Sequence, residues 1–112
     1  MREQRPWGFY EILLETDYTK VKQITVNPGQ RLSYQYHSKR KEFWTIVNGS
    51  ATVILNDEKI LIVQGESINI PLGAKHRIMN ETSELVVFIE VQTGTYFGED
   101  DIIRIDDEYG RN

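Results

Sequence analysis

Apolar and polar residues along this chain alternate in short bursts, and few stretches repeat an apolar residue at every third or fourth position. The runs KVKQITV (20–26), RLSYQYH (31–37), FWTIVNG (43–49), SATVIL (50–55), KILIV (59–63), SINIP (67–71), HRIMN (76–80) and LVVFIEVQTG (85–94) are rich in β-branched and aromatic residues. Such side chains suit a pleated, half-buried surface. Between the runs lie NPGQ, NDE, QGE, PLGA and NETSE, clusters of turn-forming residues. VILNDEKILI reads as a hairpin with Asn56 and Asp57 in its turn. Eight or so short strands at this spacing predict an all-β chain, an antiparallel sandwich or barrel. Helical periodicity is absent except for one turn near GEDDIIRI (98–105), and the polar stretch RIDDEYGRN (104–112) reads as a tail laid over the body or over a partner subunit.

Composition narrows the picture. At 112 residues the chain suits one domain, 1–112, with one core, and its twelve aromatic residues help to fill that core. Without cysteine it has neither disulfides nor thiolate metal ligands. No apolar run approaches the roughly 20 residues that span a bilayer, and MREQRPWGFY lacks the apolar middle of a signal peptide. The expectation is a soluble cytoplasmic protein that does not enter a membrane. A formal charge of −4 argues against nucleic acid, which demands a broad basic surface. The local basic clusters KRK (39–41) and KHR (75–77) suit one small anion better than a polymer.

Candidate chemistry starts from the two histidines. Gln35 and His37 are two residues apart, so on one strand they point to the same side. Glu42 and Trp44 are paired in the same way on the next strand, and a hairpin through SKRK would set Glu42 opposite Gln35 and His37. The turn PLGAKH brings in His76. Two imidazoles, a carboxylate and an amide oxygen make a credible first shell for a divalent metal, zinc foremost, with manganese, iron, cobalt or nickel compatible. In LVVFIEVQ, Leu85, Val87, Ile89 and Val91 form one apolar face, while Val86, Phe88, Glu90 and Gln92 form another that turns polar at one end. Glu90 therefore either lines a cavity or satisfies a buried cation, and Lys22, in register with Ile24 and Val26, is its expected mate. Trp44 and Tyr36 have faces on which a ligand could stack, but aromatic rings on strands more commonly fill a core. Trp7 is expected to anchor the N-terminal strand at a dimer contact, because a small sandwich has open edges that a homodimer can pair.

Fixed spacings carry a resemblance. Gly29, Gln35, His37, Glu42 and Gly49 match the first cupin signature, with glutamine in place of its first histidine, and Gly65, Pro71, Gly73, His76 and Asn80 match the second throughout. The resemblance implies a double-stranded β-helix, the cupin jelly-roll barrel, with metal at Gln35, His37, Glu42 and His76. More closely, RPWGFYEIL, VKQITVNPGQRLSYQYHSKRKEFWTIVNGSA, INIPLGAKHRIMN and IEVQTGTYFGEDDIIRIDDEYGR resemble the C-terminal domain of type II phosphomannose isomerases, over nearly all of residues 5–111. That family's domain usually follows a guanylyltransferase domain. The chain has no glycine-rich nucleotidyl-transfer loop, so guanylyltransfer is not expected of it.

The resemblance implies interconversion of mannose 6-phosphate and fructose 6-phosphate through an enediol. Such chemistry calls for a Lewis acid, a base near C1 and C2, and a cationic clamp for the phosphate. Glu90 is the candidate base. Arg40 and Arg104 are the candidate catalytic cations, and Lys22 and Arg111 the candidate substrate-binding ones. Arg40, between two ligands in the family's signature, is expected at the rim of the metal site. The sequence is also compatible with two other functions. One is a cupin that binds a sugar phosphate or sugar nucleotide without turnover, beside a separate nucleotidyltransferase; the other is a metal-dependent oxygenase, which the glutamine ligand disfavours.

Overall fold

A computed structural model describes residues 2–107 and 109. Among the described residues eleven strands follow one another: β1 (Arg2–Arg5), β2 (Gly8–Glu15), β3 (Thr19–Val26), β4 (Tyr34–His37), β5 (Arg40–Asn48), β6 (Ser50–Leu55), β7 (Glu58–Val63), β8 (Ser67–Ile70), β9 (His76–Met79), β10 (Val86–Gly94) and β11 (Ile102–Asp106). They form two antiparallel sheets, one ordered β1-β2-β3-β10-β5-β8 and the other β11-β4-β9-β6-β7. From β3 onward the chain passes repeatedly from one sheet to the other, the winding of a double-stranded β-helix. The sheets face each other as a sandwich and do not close into a complete barrel. No described helix is long and apolar enough to cross a membrane.

Alternation sets which side chains turn inward. On β5, Arg40, Glu42, Trp44 and Ile46 are buried while Lys41, Phe43 and Val47 are exposed. On β10 the buried set is Val86, Phe88, Glu90 and Gln92, and on β3 it includes Lys20, Lys22, Ile24 and Val26. Antiparallel register then sorts these residues by polarity. Phe88 lies opposite Ile24 and Ile46, whereas Glu90 lies opposite Lys22 and Trp44, and Gln92 opposite Glu42. One end of the interior is therefore a dry core, where Ile46, Val53, Ile78, Val86 and Phe88 are fully buried. Each such side chain contributes about 1.5–3 kcal/mol, and this end holds the polar end in shape.

Several sequence expectations need revision. The hairpin at Asn56 and Asp57 forms, with both residues at positive φ (48° and 69°) as a tight primed turn requires. The hairpin expected between 31–37 and 43–49 does not. β4 pairs with β11 and β9, and β5 pairs with β10 and β8, so Ser38 and Lys39 form a corner between the two sheets. The turn expected near GEDDIIRI is a single 3-10 turn, Glu99–Asp101, followed by strand β11. Trp7, 5% exposed, packs in this chain's own core, so its burial needs no dimer contact. The C-terminal stretch, as far as it is described, lies on the chain's own body, with β11 on β4 and Tyr109 bonded to Gln30. Arg111 lies outside the described residues.

Candidate metal centre

The polar end of the interior collects side chains from both sheets. Gln35 and His37 project from β4, His76 from β9, and Glu42 reaches across from β5. Gln35 is the cross-strand partner of His76. The turn that delivers His76 is tied to the His37 segment, because Gly73 N–H donates to the His37 carbonyl at 3.0 Å. The outcome is compact: His37 Nδ1 stands 3.6 Å from Glu42 Oε2, His76 Nε2 stands 3.7 Å from Glu42 Oε1, and the two rings stack at 5.2 Å. One ligand atom from each of His37, Glu42 and His76 falls within 4.8 Å of the other two.

The donor set fits a divalent cation on the chain's own terms. His76 Nδ1 lies 2.9 Å from the Ala74 carbonyl. A carbonyl only accepts, so Nδ1 carries the proton and Nε2 keeps its lone pair toward Glu42. Burial, aided for His37 by Arg40 and His76, pushes the His37 pKa down to about 3, and burial lowers that of His76 as well. Both rings are thus neutral, the form that ligates metal. Gln35 Oε1 and His37 Nε2 are buried with no hydrogen-bond partner. Orphaned polar atoms of this kind are costly in a native interior unless something else satisfies them.

Around the ligands sits a second carboxylate. Trp44 Nε1–H donates to Glu42 Oε1 (3.0 Å) and to Glu90 Oε1 (3.1 Å), and Gln92 Nε2–H donates to Glu90 Oε2 at 2.7 Å. Burial, then the nearby charge of Glu42, raises the Glu90 pKa to about 7. Glu90 also lies opposite Lys22 in the sheet register, but the Lys22 ammonium is ion-paired at 3.0 Å with Glu99, not with the expected Glu90.

Arg40 is no surface residue of a basic turn. It is 4% exposed, donates from Nε to Glu42 Oε2 at 3.1 Å, and reaches Phe97 O and Glu99 Oε2 with Nη1 at 3.4 and 3.5 Å. Burial opposes its charge, but Glu42, Glu90 and Glu99 outweigh that cost and raise its pKa. Arg104 lies beside Gln35 on β11, and its Nε is buried without a partner. Lys22, Arg40, Arg104 and Glu90 border one narrow cleft with the candidate ligands, with a free volume of about 60 Å³. Sequence reasoning missed two residues here. Gln92 had a signal, being two residues from Glu90 on the same strand face. Glu99 had none, since it is one of three consecutive acids in a turn.

The family model for the C-terminal domain of mannose-6-phosphate isomerase matches residues 1–107. Over 107 residues the chain is 47% identical to a xanthan biosynthesis protein of Xanthomonas campestris, and 45% identical to an alginate biosynthesis protein of Pseudomonas aeruginosa. Each comparison covers 96% of this chain, and it spans less than a quarter of either relative, 23% and 22%. Among solved structures, a capsular polysaccharide assembling protein of Staphylococcus aureus superposes with a TM-score of 0.81 at 20% identity, covering 95% of this chain and 34% of that one. A Klebsiella pneumoniae protein with a double-stranded β-helix domain gives 0.77 at 23% identity, covering 87% and 85%. These two likenesses bear on the fold alone, and they agree with the two-sheet winding.

Proposed function

Since the chain belongs to the mannose-6-phosphate isomerase C-terminal family, we propose that its cleft interconverts mannose 6-phosphate and fructose 6-phosphate. The observation that carries this reading is the convergence of His37, Glu42 and His76 beside the unpartnered Gln35 Oε1, at the base of a cleft bordered by cations. Gln35, His37, Glu42 and His76 would hold a divalent ion, zinc being the first choice for such donors, with manganese, iron, cobalt or nickel compatible. When bound, that ion supplies Lewis-acid polarisation of the sugar's C1 and C2 oxygens.

The chain's own residues supply the rest. In the aldose-to-ketose direction a proton leaves C2 and one arrives at C1, while a hydroxyl proton passes from O2 to O1. Glu90 is the group to carry the carbon-bound proton, since a pKa of about 7 keeps both its forms populated near neutral pH. Trp44 and Gln92 hold its two oxygens in place. Arg40 and Arg104 offset negative charge on the sugar oxygens, and Lys22 and Arg40 face the phosphate. A planar guanidinium such as Arg40 can meet an oxyanion through two N–H groups. A homodimer belongs to the same proposal, because each chain leaves β1, β8, β11 and β7 as sheet edges. A solution mass that stays at one chain's 13.1 kDa would rule the dimer out.

The test is mannose 6-phosphate deuterated at C2, incubated with the metal-loaded chain. Label washed into solvent or transferred to C1 supports an isomerase. Binding with the label fully retained at C2 would instead favour a sugar-phosphate-binding protein without turnover. Oxygen consumption with iron would point to an oxygenase.

A further inference from the structure

Lys22 and Arg40 are the two cations set deepest against the candidate centre, each with 4% of its side chain exposed, and they converge on a single anion: the carboxylate of Glu99. Lys22 Nζ lies 3.0 Å from Glu99 Oε1, and Arg40 Nη1 lies 3.5 Å from Oε2. The carboxylate thus presents one oxygen to each cation, the arrangement two oxygens of a phosphate would adopt. Glu99 itself is 39% exposed on its side chain, so it enters from the mouth of the cleft.

The segment bearing Glu99 is a single 3-10 turn, Glu99–Asp101, whose anchor is a different residue. Asp101 accepts from Ser38 N and Oγ (3.3 and 2.8 Å) and from Lys39 N (3.0 Å), which fixes the turn to the corner between β4 and β5. Glu99 can therefore leave the two cations by side-chain rotation while the turn stays in place. Lys22 and Arg40 hold its carboxyl below the usual range against the opposing effect of burial, so it is ionised at neutral pH. Departure of that charge breaks the ion pair of Lys22 and leaves Arg40 paired with Glu42 alone, and a dianion entering from solvent would replace it.

We propose that Glu99 is a placeholder occupying the anion subsite between Lys22 and Arg40, and that a phosphate monoester binds by displacing it. The inference rests on the sugar-phosphate reading for the identity of the anion. It assigns to Glu99 a role in setting substrate affinity: an ion pair that must break on binding weakens the phosphate's grip and offsets part of the subsite's positive charge when substrate is away.

Inorganic phosphate is the probe, titrated into the full chain, with Glu99→Gln and Lys22→Met as variants. Glu99→Gln keeps the shape of the side chain and removes its charge, so phosphate should bind about fivefold tighter or more, and Lys22→Met should lose the site. In the unaltered chain, backbone amide signals of 98–101 should shift with phosphate at the same midpoint as binding, a readout that depends on no variant. Equal or weaker phosphate affinity in Glu99→Gln would overturn the proposal. So would phosphate binding that Lys22→Met leaves intact, or amides of 98–101 that ignore phosphate. Washout of the C2 label reports separately on isomerase activity. Washout by the unaltered chain with no gain in Glu99→Gln sinks only the placeholder, and a gain without washout sinks only the isomerase.

Discussion

Arg40 reaches three parts of the site at once, touching the ligand Glu42, the carbonyl of Phe97 and the carboxylate of Glu99. Because Arg40 bonds the ligand Glu42 but neither histidine, Arg40→Ala should weaken metal affinity less than loss of a ligand does, and the site should still fill at saturating metal. The substitution should lower kcat/KM for mannose 6-phosphate by about 10- to 100-fold, a loss of about 1.4–2.7 kcal/mol of transition-state stabilisation. Metal content measured beside the kinetics checks this, and full activity in the variant would remove Arg40 from the mechanism. The residues of the centre were legible in the sequence because glycine, proline and ligand positions recur at fixed distances. The structure gives a physical reason for that framework. Asn80 Nδ2 donates to Val26 O and Glu84 O, latching the end of β9 to the core, and Gly73 N–H ties the PLGA turn to His37. Glu99 obeys no such pattern, and only the folded chain brings it back to Lys22, 77 positions away.

The strands were legible wherever one face is buried and the other is wet. β5 and β10 alternate cleanly, and their inward residues follow from that alternation. β2 does not stand out as an alternating run, although an N-terminal strand is expected beside Trp7, because its last four residues are all exposed. Pairing was harder to foresee, since a two-residue link between strands fits either a hairpin or a corner between sheets. Here the corner is held by a close backbone approach. Gly94 faces Arg40 in the register, and a Cβ on it would meet Lys39 O at 2.3 Å. Thr95 N–H donates to the same carbonyl at 3.0 Å. Gly94→Ala should therefore push the Ser38–Lys39 corner outward and cost about 1–3 kcal/mol, seen as a lower urea midpoint. It should also weaken catalysis, because Arg40 and Glu42 start from that corner. Unchanged stability would mean that the corner yields freely.

Across the whole molecule the dry end of the sandwich carries a polar end whose titration is strongly perturbed. Glu90 keeps its proton up to about pH 7 in the fold against an ordinary 4.5, so between those values the folded state binds more protons and stability falls as pH rises. His37 acts in the opposite sense. Its folded value of about 3 lies below the ordinary 6.5, so stability is present above 6.5 and is lost as pH falls toward 3. His76 shifts in the same direction as His37. Between pH 4.5 and 6.5 Glu90 partly offsets the histidines, and Glu90→Gln should steepen the acid loss there by about 1.4 kcal/mol per pH unit. Urea midpoints of the metal-free chain across this range test it, and parallel profiles for the two proteins would contradict the raised Glu90 value.

X-ray absorption at the zinc edge of the loaded chain tests the convergence of the two sheets on one ion most directly. The account predicts one zinc per chain with two imidazoles and oxygen donors in its first shell, and a loss of affinity of more than about 100-fold in His76→Ala, beyond the effect of removing an outer partner. Failure to take up stoichiometric metal, a first shell with fewer than two imidazoles, or undiminished uptake by His76→Ala would contradict it.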